Sequence, residues 1–380
     1  MSPPPDAGAP PASRLSELSG RPGGPVPELP TGLLPGLHHL ARVIARHSGA
    51  IGRPVEVDPV AVVCERAVAA GLTRQGDVSC GGACRLLPAA DGWVAVSLPR
   101  TDDWDLTAAW LELPTPLADG QWGMVATLVS DRGTAELVER AVLLGLAVAS
   151  VGERAPDAAT ANGGVVPTVP DHGVAGVTVR DAGPGLSNRA GRPLTVVDLS
   201  ALWAGPLASS LLGRAGAQVV KVESSTRPDG ARRGPGAFFR SLNGGKVPVI
   251  LDLGSPPGRR ALADLVARAD VVVSSARPRA LDQLGLHPSG MVAAGGPGVW
   301  LAVTGYGEGA GSAERVAFGD DAAAAGGLVV RDAEGPCFCG DALADPATGL
   351  AGAAAVLGVL AAGRRAVVVA SMADVAGALV

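Results

Sequence analysis

Lysine is almost missing from this chain. Of 31 basic residues in 380, only Lys221 and Lys246 are lysines. Aromatic residues make up 3%, with Tyr306 the single tyrosine. No basic block stands out and the formal net charge is −5. That excludes the basic patch which nucleic-acid binding needs to neutralise phosphates. The opening MSPPPDAGAPPASR carries no apolar signal region, so a reduced, cytoplasmic protein is expected. The odd number of cysteines, five, agrees with this. Cys80-x-x-x-Cys84 and Cys337-x-Cys339 do not form two zinc knuckles, because the second pair is too tight; no metal is expected. The charge-free stretch Pro346–Gly363 is near the lower limit for a membrane span and reads as a buried core helix, so no membrane is expected.

Small and apolar residues are abundant instead. Hydrophobic residues reach 47% and charged ones only 18%, with 54 Gly and 32 Pro. That is ample material for a buried core and too little charge for a disordered chain. Residues 1–30 are rich in Pro, Gly, Ser and Ala without apolar periodicity and read as a disordered tail. Leu33, Leu37, Leu40, Val43 and Ile44 repeat at helical spacing, and a second helix is predicted from Pro59 to about Gly71. Arg85–Leu87 and Trp93–Leu98 flank Asp91-Gly92, the pattern of a hairpin. Helices near Thr107–Leu111 and Thr134–Leu146 and a strand at 147–151 complete a smaller α+β region over 31–165. Residues 166–193 read as linker, with a short strand near Val174–Val179.

From residue 194 the rhythm changes. Strands are predicted at 194–199, 218–223, 247–253, 270–274 and 298–304, separated by helices such as Pro206–Gly216 and Gly258–Ala269. Alternating strands and helices imply βαβ units and a parallel sheet, so the fold class is α/β with a Rossmann-like region over 194–380. The first unit ends in Glu223, as in nicotinamide-binding folds, but its turn, Ser200 to Pro206, holds one glycine and no G-x-G-x-x-G. A weak G-x-G-x-x-A at Gly305–Ala310 lacks a helical pattern after it. Asp345, ahead of Pro346, reads on local grounds as the N-cap of the last helix.

The second half also resembles CoA-transferase family III. The matching pieces run in order: Val196–Ser200, Ala204-Gly-Pro206 and Val219–Glu223, then Asp229-Gly-Ala-Arg232 and Leu242-Asn-Gly-Gly-Lys246 with Ile250–Leu253. Ala269–Val273, Arg277-Pro278 and Leu284-Gly-Leu286 follow, then Thr304–Gly307, Asp345–Gly349 in a D-x-x-(T/S)-G pattern, and Ser371-Met372-x-Asp374. Residues 85–111 and 134–149 resemble segments that come late in that family, which implies a permuted order, with a truncated fusion as the alternative.

The resemblance implies an enzyme that moves CoA from an acyl-CoA to a carboxylic acid acceptor through an aspartyl intermediate, with no permanently bound cofactor. It implies Asp345 as the attacking carboxylate, with backbone N–H groups, for which Gly305–Gly311 are candidates, near the tetrahedral oxygen. For Asp345 it implies an ionised group favoured by a helix N-terminus, with Asp341 as an uninvolved neighbour. Lys246 and Arg277, then Lys221 and Arg232, are implied as CoA phosphate ligands, with the surface-residue reading open beside it. Trp203 and Ser275 stand where the family has other residues in the pocket, Trp203 suggesting a bulkier, more apolar acyl site. An interlocked homodimer is implied. Another acyl-CoA enzyme on this fold, isomerase- or racemase-like, and a non-catalytic CoA-binding subunit are the alternatives; no His follows His287 to serve the racemase pair. Asp320 and Asp321 receive no role.

Overall fold

The computed structural model describes residues 11–155, 173–185, 192–309 and 311–380. Among these residues twelve strands form three sheets. A small sheet joins β1 (Cys84–Ala89), β2 (Gly92–Ser97) and β3 (Ala147–Ser150), all antiparallel. The main sheet contains β4 (Val177–Pro184), β5 (Thr195–Asp198), β6 (Gln218–Ser224), β7 (Val247–Leu251), β8 (Val271–Ser274), β9 (Val299–Thr304) and β12 (Arg364–Ser371). β10 (Val329–Asp332) and β11 (Gly335–Phe338) pair as a hairpin.

The main sheet runs β4-β12-β9-β8-β5-β6-β7, parallel throughout except for β4 against β12. Counting only the parallel strands, the order is that of a doubly wound dinucleotide-type sheet, winding outward in both directions from β5. Its strands alternate between two cores. Val196, Val271, Val273, Val299, Leu301 and Val368 face one helical layer, while Val197, Val272, Trp300, Val367 and Val369 face the other. Burial on both faces is why these strands read as unbroken apolar runs in the sequence.

One layer holds the helices Leu33–Ala50, Ala204–Arg214 and Ala344–Ala361. Ala344–Ala361 is long and apolar enough to cross a membrane, but 89% of it is buried inside the protein. It lies close against Ala204–Arg214 because Gly349 carries no side chain there. A Cβ on Gly349 would sit 2.7 Å from the Ala204 carbonyl and 2.8 Å from Leu207.

Three boundaries differ from the sequence reading. Residues 11–30 are not a loose tail: Pro11–Glu17 is a helix, and Leu15 and Leu18 are buried in the main core. Two leucines three residues apart anchor it, a signal hidden by the surrounding Pro and Gly; residues 1–10 lie outside the described residues. The helices Leu33–Ala50 and Pro59–Ala70 also belong to the main core, so the smaller unit spans about 84–150, around Trp104, Trp110, Leu137 and Val148. Finally, β4 lies within the expected linker and pairs along β12, covering an edge of the main sheet; residues 166–172 and 186–191 lie outside the described residues. A smaller shift concerns the hairpin, where Ala89 pairs with Gly92 and the turn is therefore Ala90-Asp91.

Candidate active site

In a doubly wound sheet the ligand crevice opens beyond the carboxyl ends of the strands, where the winding reverses. Here that point lies between β5 and β8. Ser275, just past β8, accepts a hydrogen bond from the Ala201 N–H at 3.1 Å, joining the two loops that flank the crevice. Ser275 and Arg277 are both exposed. Arg277 precedes the helix Pro278–Gln283.

Past β5 the chain enters a strained turn. Leu202 has φ +68, and its N–H donates to Asp229 Oδ1 at 2.9 Å. Trp203 follows as N-cap of Ala204–Arg214, buried and edge-on to Phe238 with ring centroids 5.0 Å apart. Its indole Nε1 finds no hydrogen-bond partner among the described residues. Ala342, with φ +46, is the corresponding strained residue ahead of Ala344–Ala361. Non-glycine residues in the left-handed region cluster at functional sites because the surrounding structure must hold them there.

Asp345 lies where these turns meet. The helix begins at Ala344 with Leu343 as its N-cap and no side-chain cap bond. Asp345 is therefore inside the first turn, and the local N-cap reading is wrong: the chain enters helical geometry two residues earlier than Pro346 suggests. Backbone N–H groups of Ala204 and Gly319 face its carboxylate and favour its charge. These come from the N-terminal ends of Ala204–Arg214 and Gly319–Ala325, so three helix starts surround one carboxylate. Gly319 is required by this approach, since a Cβ there would lie 2.5 Å from Asp345 Oδ2 and 2.4 Å from the Ala342 carbonyl. Thr348, one turn on, is buried, and its hydroxyl has no partner among the described residues.

The electrostatics differ from the sequence expectation. Burial pushes the Asp345 carboxyl up to about 6, against the Arg66 guanidinium and the facing N–H groups, with Asp341 adding to the rise. Removal from water thus outweighs the helix N-terminus, which had been expected to depress it. Asp320 is raised as well, first by burial and then by Asp341. Its Oδ1 accepts from the Ala342 N–H at 2.8 Å. Burial lifts Asp321 to about 7, although the Ser97 hydroxyl and the Phe318 N–H donate to it at 2.8 and 2.9 Å.

Asp341 is no bystander. It is fully buried and receives two hydrogen bonds from Arg66, at 2.8 and 2.5 Å. Arg66, on the helix Pro59–Ala70, was missed by the sequence reading. The Gly305–Gly311 stretch, expected to supply oxyanion donors, instead follows β9. Within it the Gly307 N–H donates to Thr304, and Gly307–Gly309 line a separate polar cavity with Arg180 and Asp374; Ala310 lies outside the described residues. The N–H groups that face Asp345 are those of Ala204 and Gly319.

The two lysines are not placed to meet a ligand. The Lys246 side chain is buried and its ammonium donates to Asp198, the Pro206 carbonyl and Asn243, each at 2.9 Å. Lys221 is buried between Asp229, at 3.0 Å, and the Ser200 carbonyl. Burial opposes ionisation of Asp198, but Lys221, Lys246 and the Ser200 hydroxyl hold its carboxyl down to about 2. The network anchors the β5 turn, since Ser200 and Ser209 also donate to Asp198. Arg232 is half exposed, paired with Glu223 at 2.5 Å and stacked 4.3 Å from the Phe239 ring. Of the four expected phosphate ligands, Arg277 is the one exposed without an ion pair among the described residues. Among those residues no group of three or more His, Cys, Asp or Glu could hold a metal ion.

Residues 192–380 match the family model described as CoA-transferase family III. A succinyl-CoA:glutarate CoA-transferase from Mus musculus is 32% identical over 165 residues, 41% of this chain and 38% of that protein. A succinyl-CoA:mesaconate CoA-transferase from Haloarcula hispanica is 44% identical over 92 residues, 22% of this chain and 23% of that protein. The chain thus spans less than half the length of these curated relatives. A crystal structure of a CAIB/BAIF family protein from Brucella suis aligns with TM-score 0.43 and 28% identity, covering 48% of this chain and 53% of the other.

Replacing Lys246 with Ala leaves Asp198 buried with its charge balance broken. Breaking a buried pair from one side costs about 3–5 kcal/mol. Denaturant unfolding of Lys246→Ala is expected to show a loss of that order. A variant of wild-type stability with selectively weakened CoA binding would instead restore Lys246 as a ligand.

Proposed function

We propose that this chain, whose residues 192–380 match the model of CoA-transferase family III, moves CoA from an acyl-CoA thioester to a carboxylic acid, with Asp345 as the attacking carboxylate. The observation that carries the proposal is the setting of Asp345. The carboxylate of Asp345 stands at the junction of three helix starts, beside the crevice at the β5–β8 reversal.

Attack by the Asp345 carboxylate on the thioester carbon forms a mixed anhydride and releases CoA thiolate. The thiolate attacks the aspartyl carbon, giving an enzyme CoA thioester and freeing the donor acid. The acceptor carboxylate attacks that thioester, and the returning thiolate cleaves the second anhydride to form the new acyl-CoA and regenerate Asp345. No net proton is consumed. The negative charge that develops on the carbonyl oxygens calls for preorganised donors, and the N–H groups of Ala204 and Gly319 are those at hand. Succinyl-CoA and dicarboxylic acceptors are the first substrates to test, following the activities named for the relatives. We place the enzyme in the cytoplasm as a homodimer with its segments in permuted order, as the resemblance of residues 85–111 and 134–149 supports.

The attacking form is ionised Asp345. Transfer is therefore expected to fall as pH drops through about 6. Asp345→Asn should lower turnover by about a thousandfold or more while CoA binding persists. Since the folded-state carboxyl is raised, its stability contribution is present at low pH and lost as pH rises through about 6. The Asn variant should therefore melt no lower than wild type at pH 8. Near-normal turnover in this variant would overturn the assignment.

Arg277 is the proposed phosphate contact. Charge-assisted bonds contribute about 1.5–3 kcal/mol, so Arg277→Ala should raise the Kd for CoA by roughly tenfold or more in calorimetry. An unchanged Kd would remove Arg277 from the binding site.

A further inference from the structure

The matched segment, residues 192–380, does not contain the whole site. The helix Pro59–Ala70, far outside it, brings Arg66 to the turn that precedes Asp345. That helix is firmly delimited. Asp58 Oδ1 accepts from the Val60 and Ala61 N–H groups at 3.0 Å, Pro59 starts the first turn, and Gly71 ends it with φ +63. Val60, Val63, Cys64 and Ala67 seat it in the main core. With its helix fixed in this way, Arg66 has little freedom of position.

Its guanidinium makes three relations at once. It forks onto both oxygens of Asp341, at 2.8 and 2.5 Å. It stacks with its carbon 5.8 Å from the centre of the Trp203 ring, the residue that opens the helix facing Asp345. It also acts through space on Asp320 and Asp345. A planar fork on a carboxylate fixes orientation as well as charge, which a lysine in the same place could not do. Asp341 leads into the strained residue Ala342, whose carbonyl accepts the Asp345 N–H at 2.9 Å. Holding Asp341 therefore holds the turn from which Asp345 projects. Asp341 cannot serve alone: with Asp320 and Asp345 it would place three carboxylates together around one helix start.

We propose that Arg66 is a positioning residue for Asp345: clamped to Asp341, it fixes the turn ahead of the reactive carboxylate and brings a positive charge to the same helix start. The N-terminal segment is then a working part of the site. The inference rests on the proposed role of Asp345, but its first readout needs no turnover.

The groups that act on Asp345 are Arg66 from Pro59–Ala70, Asp341 from the preceding turn, Asp320 across from it on Gly319–Ala325, and the N–H groups of Ala204 and Gly319. Arg66 and Asp341 act with opposite sign, which gives the test its direction. Carbon-13 NMR of carboxyl-labelled aspartate, with Asp345→Asn to assign the signal, reads the Asp345 titration in the full chain. Arg66→Gln should move its midpoint up by about one pH unit. Asp341→Asn should move it down, and Arg66→Lys should keep it nearer wild type than Gln does. If Arg66→Gln alone does not fold, the double variant Arg66→Gln/Asp341→Asn leaves neither charge stranded. Its midpoint should then lie above that of Asp341→Asn. In CoA transfer, the acid limb of the pH–rate profile should move with the NMR midpoint. A midpoint unmoved by loss of Arg66, in either background, overturns the proposal. Movement of the midpoint in a protein whose wild type transfers no CoA would sustain the role of Arg66 and refute the transferase reading instead.

Discussion

The ion pair between Arg66 and Asp341 is the interaction on which the rest of the site depends. Asp320, Asp341 and Asp345 gather around the start of one apolar helix, where burial resists the ionisation of Asp320 and Asp345. A buried carboxylate is tolerated only when it is paired or protonated. Arg66 pairs the deepest of the three, Asp341. The other two, partly exposed, are left with raised affinities for protons. One of the three carboxylates is thus paired with a cation, while the other two hold protons more tightly than free carboxylates do.

That arrangement needs a rigid frame, which the doubly wound sheet provides. The reversal between β5 and β8 opens the crevice, and the buried Asp198–Lys246–Lys221 network fixes the turn after β5 that ends in Trp203. Gly349 lets Ala344–Ala361 close on Ala204–Arg214, so that the N–H of Ala204 reaches Asp345. The strained backbone at Leu202 and Ala342 is held by N–H groups that donate to the carboxylates of Asp229 and Asp320. Scaffold and site are therefore one set of contacts, and substitutions in either are expected to be felt in both.

Much of this was legible in the sequence, and the parts that were not have physical reasons. The alternation of apolar runs with helical periods disclosed the parallel sheet, because two-sided burial leaves a continuous apolar signature in each strand. The motif around Asp345 marked the candidate nucleophile. Residue type does not reveal burial, however, and Lys246 and Lys221 were given to a ligand when their ammonium groups close an internal network. Depth also decided the ionisation of Asp345, where a rule for exposed helix ends pointed the wrong way. Arg66 gave no signal at all. Its partner lies 275 residues away in the chain, and no spacing pattern connects them. The buried Leu15 and Leu18 were likewise masked by the Pro- and Gly-rich residues around them.

The central claim is that the Asp345 carboxylate itself forms a covalent bond to the acyl or CoA group. Hydroxylamine added during incubation with succinyl-CoA intercepts an activated aspartyl carbonyl as a hydroxamate, and peptide mass spectrometry locates it. The account predicts a hydroxamate on the peptide containing Asp345, dependent on the thioester and absent from Asp345→Asn. Transfer of CoA to an acceptor acid with no modification at Asp345, or with the hydroxamate on Asp320 or Asp341, would contradict it.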